Sequence, residues 1–204
     1  MRINKKKFIY LISPNKISKR FYYNLKLLLK TGKIKYFQLR LKKYSLNNKI
    51  LIGRKIKNIC NKNKVKFLVN DDPQLALRLC ADGCHLGQKD MNIKEAKKII
   101  GKKIIGITCH NSLRLAKKAL KYKPSYLAFG AFHPSKTKKT KYVADIKIIG
   151  KIKKITKTPV VAIGGINSEN YKNLLLNKVN FLAISGYIWN NNKYKPLEAL
   201  EKLK

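Results

Sequence analysis

Asp71 and Asp90 each close a short apolar run, in "VNDD" (69–72) and "HLGQKD" (85–90), with a helix-like stretch between them. Two carboxylates from neighbouring loops are hard oxygen donors, fit for a Mg²⁺ ion that fills its other positions with water and substrate phosphates. The chain is poor in acid: 9 Asp and Glu stand against 48 Lys and Arg, for a formal net charge of +39. A carboxylate pair in such a chain needs a reason. On spacing alone Asp71 also reads as a helix cap, and Asp72, directly before Pro73, reads as the cap of the helix that follows.

Cations stand within reach of the same place. Gln38, Arg40 and Lys42 alternate in "FQLRLK" (37–42), so all three share one face of a strand. Where that face is a barrel interior, the cations must meet something anionic. Lys138 follows in "FGAFHPSKTKKT" (129–140). The runs "VAIGGI" (161–166) and "AISGYIW" (183–189) put glycines at two further strand ends. Glycine lets backbone N–H groups approach an anion, and a following helix adds its dipole; simple tight turns are the plainer reading. A metal, three cations and a separate backbone phosphate site imply two phosphorylated ligands, one a diphosphate. The chemistry implied is a metal-assisted transfer in which pyrophosphate leaves.

The frame that positions these residues alternates short β-branched runs with Lys-faced amphipathic ones. Strands are predicted over 8–13, 36–41, 67–70, 83–86, 104–108, 126–130, 160–163 and 181–185. Helical stretches fall at 45–62, 93–100, 112–122, 146–156, 170–176 and 196–204. Continuous apolar runs suit parallel strands buried on both faces. Eight β–α units predict one (β/α)8 barrel domain over residues 1–204, with its chemistry at the C-terminal strand ends. A doubly wound open sheet would place a glycine-rich phosphate loop after the first strand; "ISPNK" (12–16) is not one.

The charge would suit a polyanion, but only six of the 48 basic residues are arginine. Arginine is the better instrument for reading phosphates and bases. The lysines are spread over helix faces, so a basic nucleic-acid-binding protein is the alternative from another class and no nucleic-acid partner is expected. Cys60, Cys80, Cys84 and Cys109 form neither C-x-x-C pairs nor zinc spacings. Buried free thiols in a reducing cytoplasm fit them. No apolar run is long enough to span a bilayer, so no membrane partner is expected.

The ordered series "QLRLK", "VNDD", "ADGCHLGQKD", "GITCH", "GAFHPSKTKK", "VVAIGGI" and "ISGYIW" resembles the thiamine phosphate synthases over essentially the whole chain. The resemblance implies that 4-amino-2-methyl-5-hydroxymethylpyrimidine diphosphate is joined to a thiazole phosphate, giving thiamine phosphate and pyrophosphate. It implies a pyrimidine contact at Gln38 and diphosphate contacts at Arg40, Lys42, Asn70 and Lys138. It implies Mg²⁺ ligands at Asp71 and Asp90, and a thiazole-phosphate site at Gly165, Ile184 and Ser185. Hydroxyls are implied at Thr108, Ser135 and Thr137; Thr108 stands where the family usually has Ser, and Ser135 where it usually has Thr. The related thiazole tautomerases are the nearest alternative. They use a His after strand 5, as His110 would supply, but have no use for Asp90, Arg40 and Lys138 around a diphosphate. His85, inside an apolar run, reads as structural, and His133 as a loop residue near the site.

Overall fold

The computed structural model describes residues 8–134 and 142–203. Eight parallel strands close into a barrel in sequence order: β1 (Ile9–Ile12), β2 (Ile34–Leu39), β3 (Lys66–Asn70), β4 (Gly83–Leu86), β5 (Ile104–His110), β6 (Tyr126–Gly130), β7 (Val160–Ile163) and β8 (Phe181–Ile184). Helices α1 (Lys19–Lys30), α2 (Leu46–Lys62), α3 (Pro73–Arg78), α4 (Ile93–Ile100), α5 (Leu113–Leu120), α6 (Lys147–Ile155), α7 (Tyr171–Leu176), α8 (Gly186–Trp189) and α9 (Pro196–Glu201) ring it. This is the predicted (β/α)8 barrel. α1 fills the first connection, for which the sequence reading named no helix; its buried Phe21, Leu25, Leu28 and Leu29 recur at helical spacing. None of the described helices is long and apolar enough to cross a membrane.

Local chemistry sets where the helices start. Ser45, Asn92 and Ser112 each accept a backbone N–H three residues on, capping α2, α4 and α5. Asp72 caps α3 through a 2.9 Å bond from the Leu75 amide, with Pro73 in the first turn where its missing N–H costs nothing. The cap reading was therefore right for Asp72, and it leaves Asp71 for another task.

Strand alternation divides the apolar residues into two cores. Outward-facing residues such as Phe37, Leu39, Val69 and Leu127 join the helices in one large cluster. Inward-facing Tyr10, Ile12, Leu68, Tyr126, Ala128, Val161 and Ala183 form the second, inside the barrel. Tyr126 reaches across the interior, and a Cβ on Gly106 would lie 1.9 Å from its ring. Only glycine leaves that space on β5.

Hydrogen-bonded pairing of β2 stops at Leu39, two residues short of the predicted end. Alternation continues past it, because Leu39 and Leu41 are both buried in the outer core. Gln38, Arg40 and Lys42 thus keep the common face the sequence predicts, although the last two stand above the strand.

Asp82 pins the opposite end of the barrel. Its carboxylate accepts from Lys57 Nζ at 2.9 Å, Lys66 Nζ at 3.0 Å and the Phe67 amide at 2.9 Å. Burial alone would raise its pKa, but these donors outweigh it and hold the carboxyl below the usual range. Asp82→Asn should cost about 2 kcal/mol at pH 7, on the scale of charge-assisted hydrogen bonds. Because the folded-state pKa is depressed, that contribution is present above the unfolded carboxylate pKa and fades as pH falls through the folded value. Urea denaturation of both proteins should show the gap at neutral pH and its narrowing toward pH 3. A gap independent of pH would show that charge is not what holds this corner.

Candidate active site

The C-terminal rim gathers the polar residues. Asp71 follows the last residue of β3 with φ +67°, a left-handed conformation that Asp tolerates better than most residues. Its amide donates to His85 O at 2.8 Å, so the turn is locked to β4. Asp90 ends the loop after β4, and its Oδ2 accepts the Gly87 amide at 2.7 Å. The two side chains stand near enough for Asp71 to perturb Asp90, and Lys42 Nζ stands 3.2 Å from Asp71 Oδ2. Burial first, then the hydrogen bond and charge of Asp71, raise the Asp90 pKa; the Gly87 amide and Lys42 partly oppose this.

A second cluster lies toward β1. The buried Ser13 Oγ accepts the Arg40 amide at 2.9 Å, and Ser185 Oγ donates to Ser13 O at 3.2 Å. Arg40 Nη1 reaches Asn15 Oδ1 at 3.3 Å, so this guanidinium is directed along the β1 side while Lys42 serves the carboxylates. Trp189 Nε1 donates to Ile12 O at 2.7 Å and fastens α8 to the same strand. Ile184 is buried at the end of β8. Gly164 and Gly165 have φ +103° and +58°, and a Cβ on Gly165 would lie 2.3 Å from Pro134 O. The diglycine therefore brings the β7 loop against the His133–Pro134 turn, as a backbone anion cradle and a tight turn would both require.

Between the clusters the barrel wall is polar. Gln38 is 3% exposed and donates through Nε2 to Tyr10 OH. Asn70 ends β3 beside Asp71. Thr108 Oγ1 bonds His85 Nε2 at 2.8 Å, and Gln88 Nε2 donates to Thr108 O. His85 is buried as expected, which pushes its pKa down to about 4 against the opposing charge of Asp71. His110 has φ +51° and stacks on Tyr142 with ring centroids 4.1 Å apart. Ser135, Thr137 and Lys138 lie outside the described residues.

Sequence reasoning missed Tyr10, Ser13 and Tyr126. Each looks like an ordinary residue of its run until the register is known; closure of the barrel turns the Tyr10 and Tyr126 hydroxyls inward and sets Ser13 between Arg40 and Ser185. His85 carried the one legible signal, a titratable ring inside an apolar run.

Fold and rim together define a (β/α)8 barrel whose charged side chains gather at the C-terminal mouth, the end where enzymes of this fold carry their active sites. A family model described as thiamine monophosphate synthase matches residues 9–188. The thiamine-phosphate synthase of Pelagibacter ubique is 65% identical over 100% of both chains. That of Erythrobacter litoralis is 36% identical over 94% of this chain and 92% of its own. The solved thiamine phosphate pyrophosphorylase from Pyrococcus furiosus superposes with a TM-score of 0.85 at 30% identity, covering 98% of this chain and 94% of its own. The chain belongs to the thiamine monophosphate synthase family.

If Asp71 holds Asp90 up as described, Asp71→Ala should bring the Asp90 pKa down toward the ordinary carboxylate range. Carboxyl-carbon NMR titration reads this directly, and an unmoved midpoint would mean that burial alone sets it.

Proposed function

We infer that this chain is a thiamine-phosphate synthase. It joins the pyrimidine diphosphate to the thiazole phosphate as a transferase acting on two small molecules. The single observation that carries this reading is the grouping of Asp71 and Asp90 at adjacent strand ends with Lys42 beside them. Two converging carboxylates repel unless a proton or a cation lies between them. Among the described residues there is no set of three or more His, Cys, Asp or Glu that could form a closed metal cage. An all-oxygen pair with open positions instead fits Mg²⁺ shared with substrate phosphates. When bound there, Mg²⁺ neutralises charge on the departing diphosphate.

The chain's own residues do the rest. Gln38 orients the pyrimidine from the barrel wall. Arg40, Lys42, Asn70 and Lys138 hold the diphosphate and stabilise the charge it gains on leaving. The C–O bond to the diphosphate breaks, with its electron pair going to the oxygen, and leaves a pyrimidine-methyl cation. The thiazole nitrogen lone pair then forms the new C–N bond. The backbone of Gly165, Ile184 and Ser185 holds the thiazole phosphate, and Thr108, Ser135 and Thr137 supply hydroxyls around the reacting groups. A reducing cytoplasm suits the free thiols: Cys60, Cys84 and Cys109 are buried as read from the sequence, whereas Cys80, in the turn after α3, is exposed.

Purified protein given both substrates should form thiamine phosphate with Mg²⁺ and not without it; product formation indifferent to the ion would overturn the metal role. Asp90→Ala should lose magnesium-dependent turnover, a drop of at least about 100-fold, on the scale of lost transition-state electrostatics, while its circular dichroism stays that of the parent. Lys138→Ala should lower kcat more than it weakens thiazole-phosphate binding. An effect confined to binding would remove Lys138 from the leaving-group role.

A further inference from the structure

Four hydrogen bonds cross the barrel interior in one unbroken line. Gln38 Nε2 donates to Tyr10 OH at 2.6 Å, and Tyr10 OH meets Tyr126 OH at 2.8 Å. Tyr126 OH meets His85 Nδ1 at 3.0 Å, and His85 Nε2 meets Thr108 Oγ1 at 2.8 Å. The line joins β2, β1, β6, β4 and β5, and its two ends, Gln38 and Thr108, lie in the barrel wall between the two rim clusters. Tyr10 is 1% exposed, Tyr126 0% and His85 8%, so no bulk solvent competes along its length.

Counting protons fixes what such a line can do. A phenol has one donor, a neutral imidazole has one donor and one acceptor, and an amide nitrogen only donates. With the Gln38 nitrogen on Tyr10, the Tyr10 hydroxyl must donate to Tyr126, and Tyr126 must donate to His85 Nδ1. His85 then carries its proton on Nε2 and gives it to Thr108, whose own hydroxyl proton is left for the mouth. Every group is used once. The reverse arrangement also uses every group once, but all four bonds must turn together: the Gln38 amide rotates, His85 changes tautomer and Thr108 turns its proton inward. The two ends are thereby coupled.

We propose that the Tyr10–Tyr126–His85 line is a specificity device that holds the Gln38 amide with its carbonyl toward the mouth, so that the pocket selects an aminopyrimidine over the corresponding oxopyrimidine. The proposal rests on the pyrimidine role given to Gln38 above. With its nitrogen on Tyr10, Gln38 has its carbonyl left to accept from an exocyclic amine and its second N–H left to donate to the neighbouring ring nitrogen. A 4-oxopyrimidine presents the opposite pattern, a carbonyl and a ring N–H. It fits only if the amide turns, which reverses the whole line and withdraws the Thr108 hydroxyl. The amide cannot turn alone, because a partial turn sets donor against donor or leaves a buried group unpaired, so an oxopyrimidine must reverse all four bonds and give up the outward Thr108 proton. Tyr10, Tyr126 and His85 are positioning residues that act through Gln38 and Thr108.

The test compares kcat/KM for the 4-aminopyrimidine diphosphate and its 4-oxo counterpart, with thiazole phosphate as the acceptor. The wild-type protein should prefer the amine by about 100-fold or more, as for a site built around specific donors and acceptors. Tyr126→Phe removes one oxygen from the middle of the line and frees Gln38 to turn. The preference should fall by at least about tenfold, the scale of one hydrogen bond, chiefly because the oxo substrate improves. A merely structural role would slow both substrates together and leave the ratio alone. Thr108→Val, at the half-exposed end, should shift the ratio in the same sense and carries the test if Tyr126→Phe does not fold. Wild-type turnover of the amine with an unchanged ratio in folded variants overturns this proposal and spares the synthase reading. No wild-type turnover of the amine overturns both.

Discussion

Two neighbouring carboxyl groups at the mouth of a barrel are the constraint on which the rest of this structure depends. The Asp71 and Asp90 carboxyls converge, and nothing about strand pairing or core packing favours that arrangement. It is held by backbone: the left-handed turn at Asp71, its amide on His85 O, and the Gly87 amide on Asp90. Strain and repulsion concentrated in one loop pair persist only where the surroundings over-determine them. Here β3 and β4 supply that rigidity, and Lys42 supplies a countercharge.

The interior solves a second problem with the same economy. A small eight-stranded barrel leaves space for side chains but none for water, so its filling must be both bulky and satisfied. Tyrosine meets both needs. Tyr10, Tyr36 and Tyr126 pack ring against ring, with centroid separations of 5.4–5.9 Å, and the hydroxyls of Tyr10 and Tyr126 find partners in each other and in Gln38 and His85. The buried hydroxyls of Tyr10 and Tyr126 are thereby both satisfied where the apolar floor gives way to the polar wall.

The order of the eight strands was legible because parallel strands buried on both faces are continuous apolar runs, and because each is followed by a helix with a lysine face. The acidic pair was legible for a different reason: acids are so scarce that those remaining stand out. Asp72, Glu95, Asp145 and Glu198 sit at helix starts, and Asp82 joins α2 to β3. What remained hidden depends on three-dimensional register. No spacing rule tells which strand tyrosines point inward, that Ser13 ties Arg40 to Ser185, or that Arg40 and Lys42 part company above a shared face. The end of β2 was misplaced because alternation outlasts hydrogen bonding there.

The seam between β1 and β8 has a consequence for how the chain is made. Ile9, Tyr10 and Leu11 pair with Leu182, Ala183 and Ile184, and Lys33 Nζ caps the carbonyl ends of Leu200 and Leu203. The first strand to emerge from the ribosome thus waits for the last before its second edge is covered. Throughout translation the nascent polypeptide carries an open sheet with two unpaired borders, the form most prone to pairing with a neighbour. A surface crowded with lysine opposes such pairing, because like charges repel.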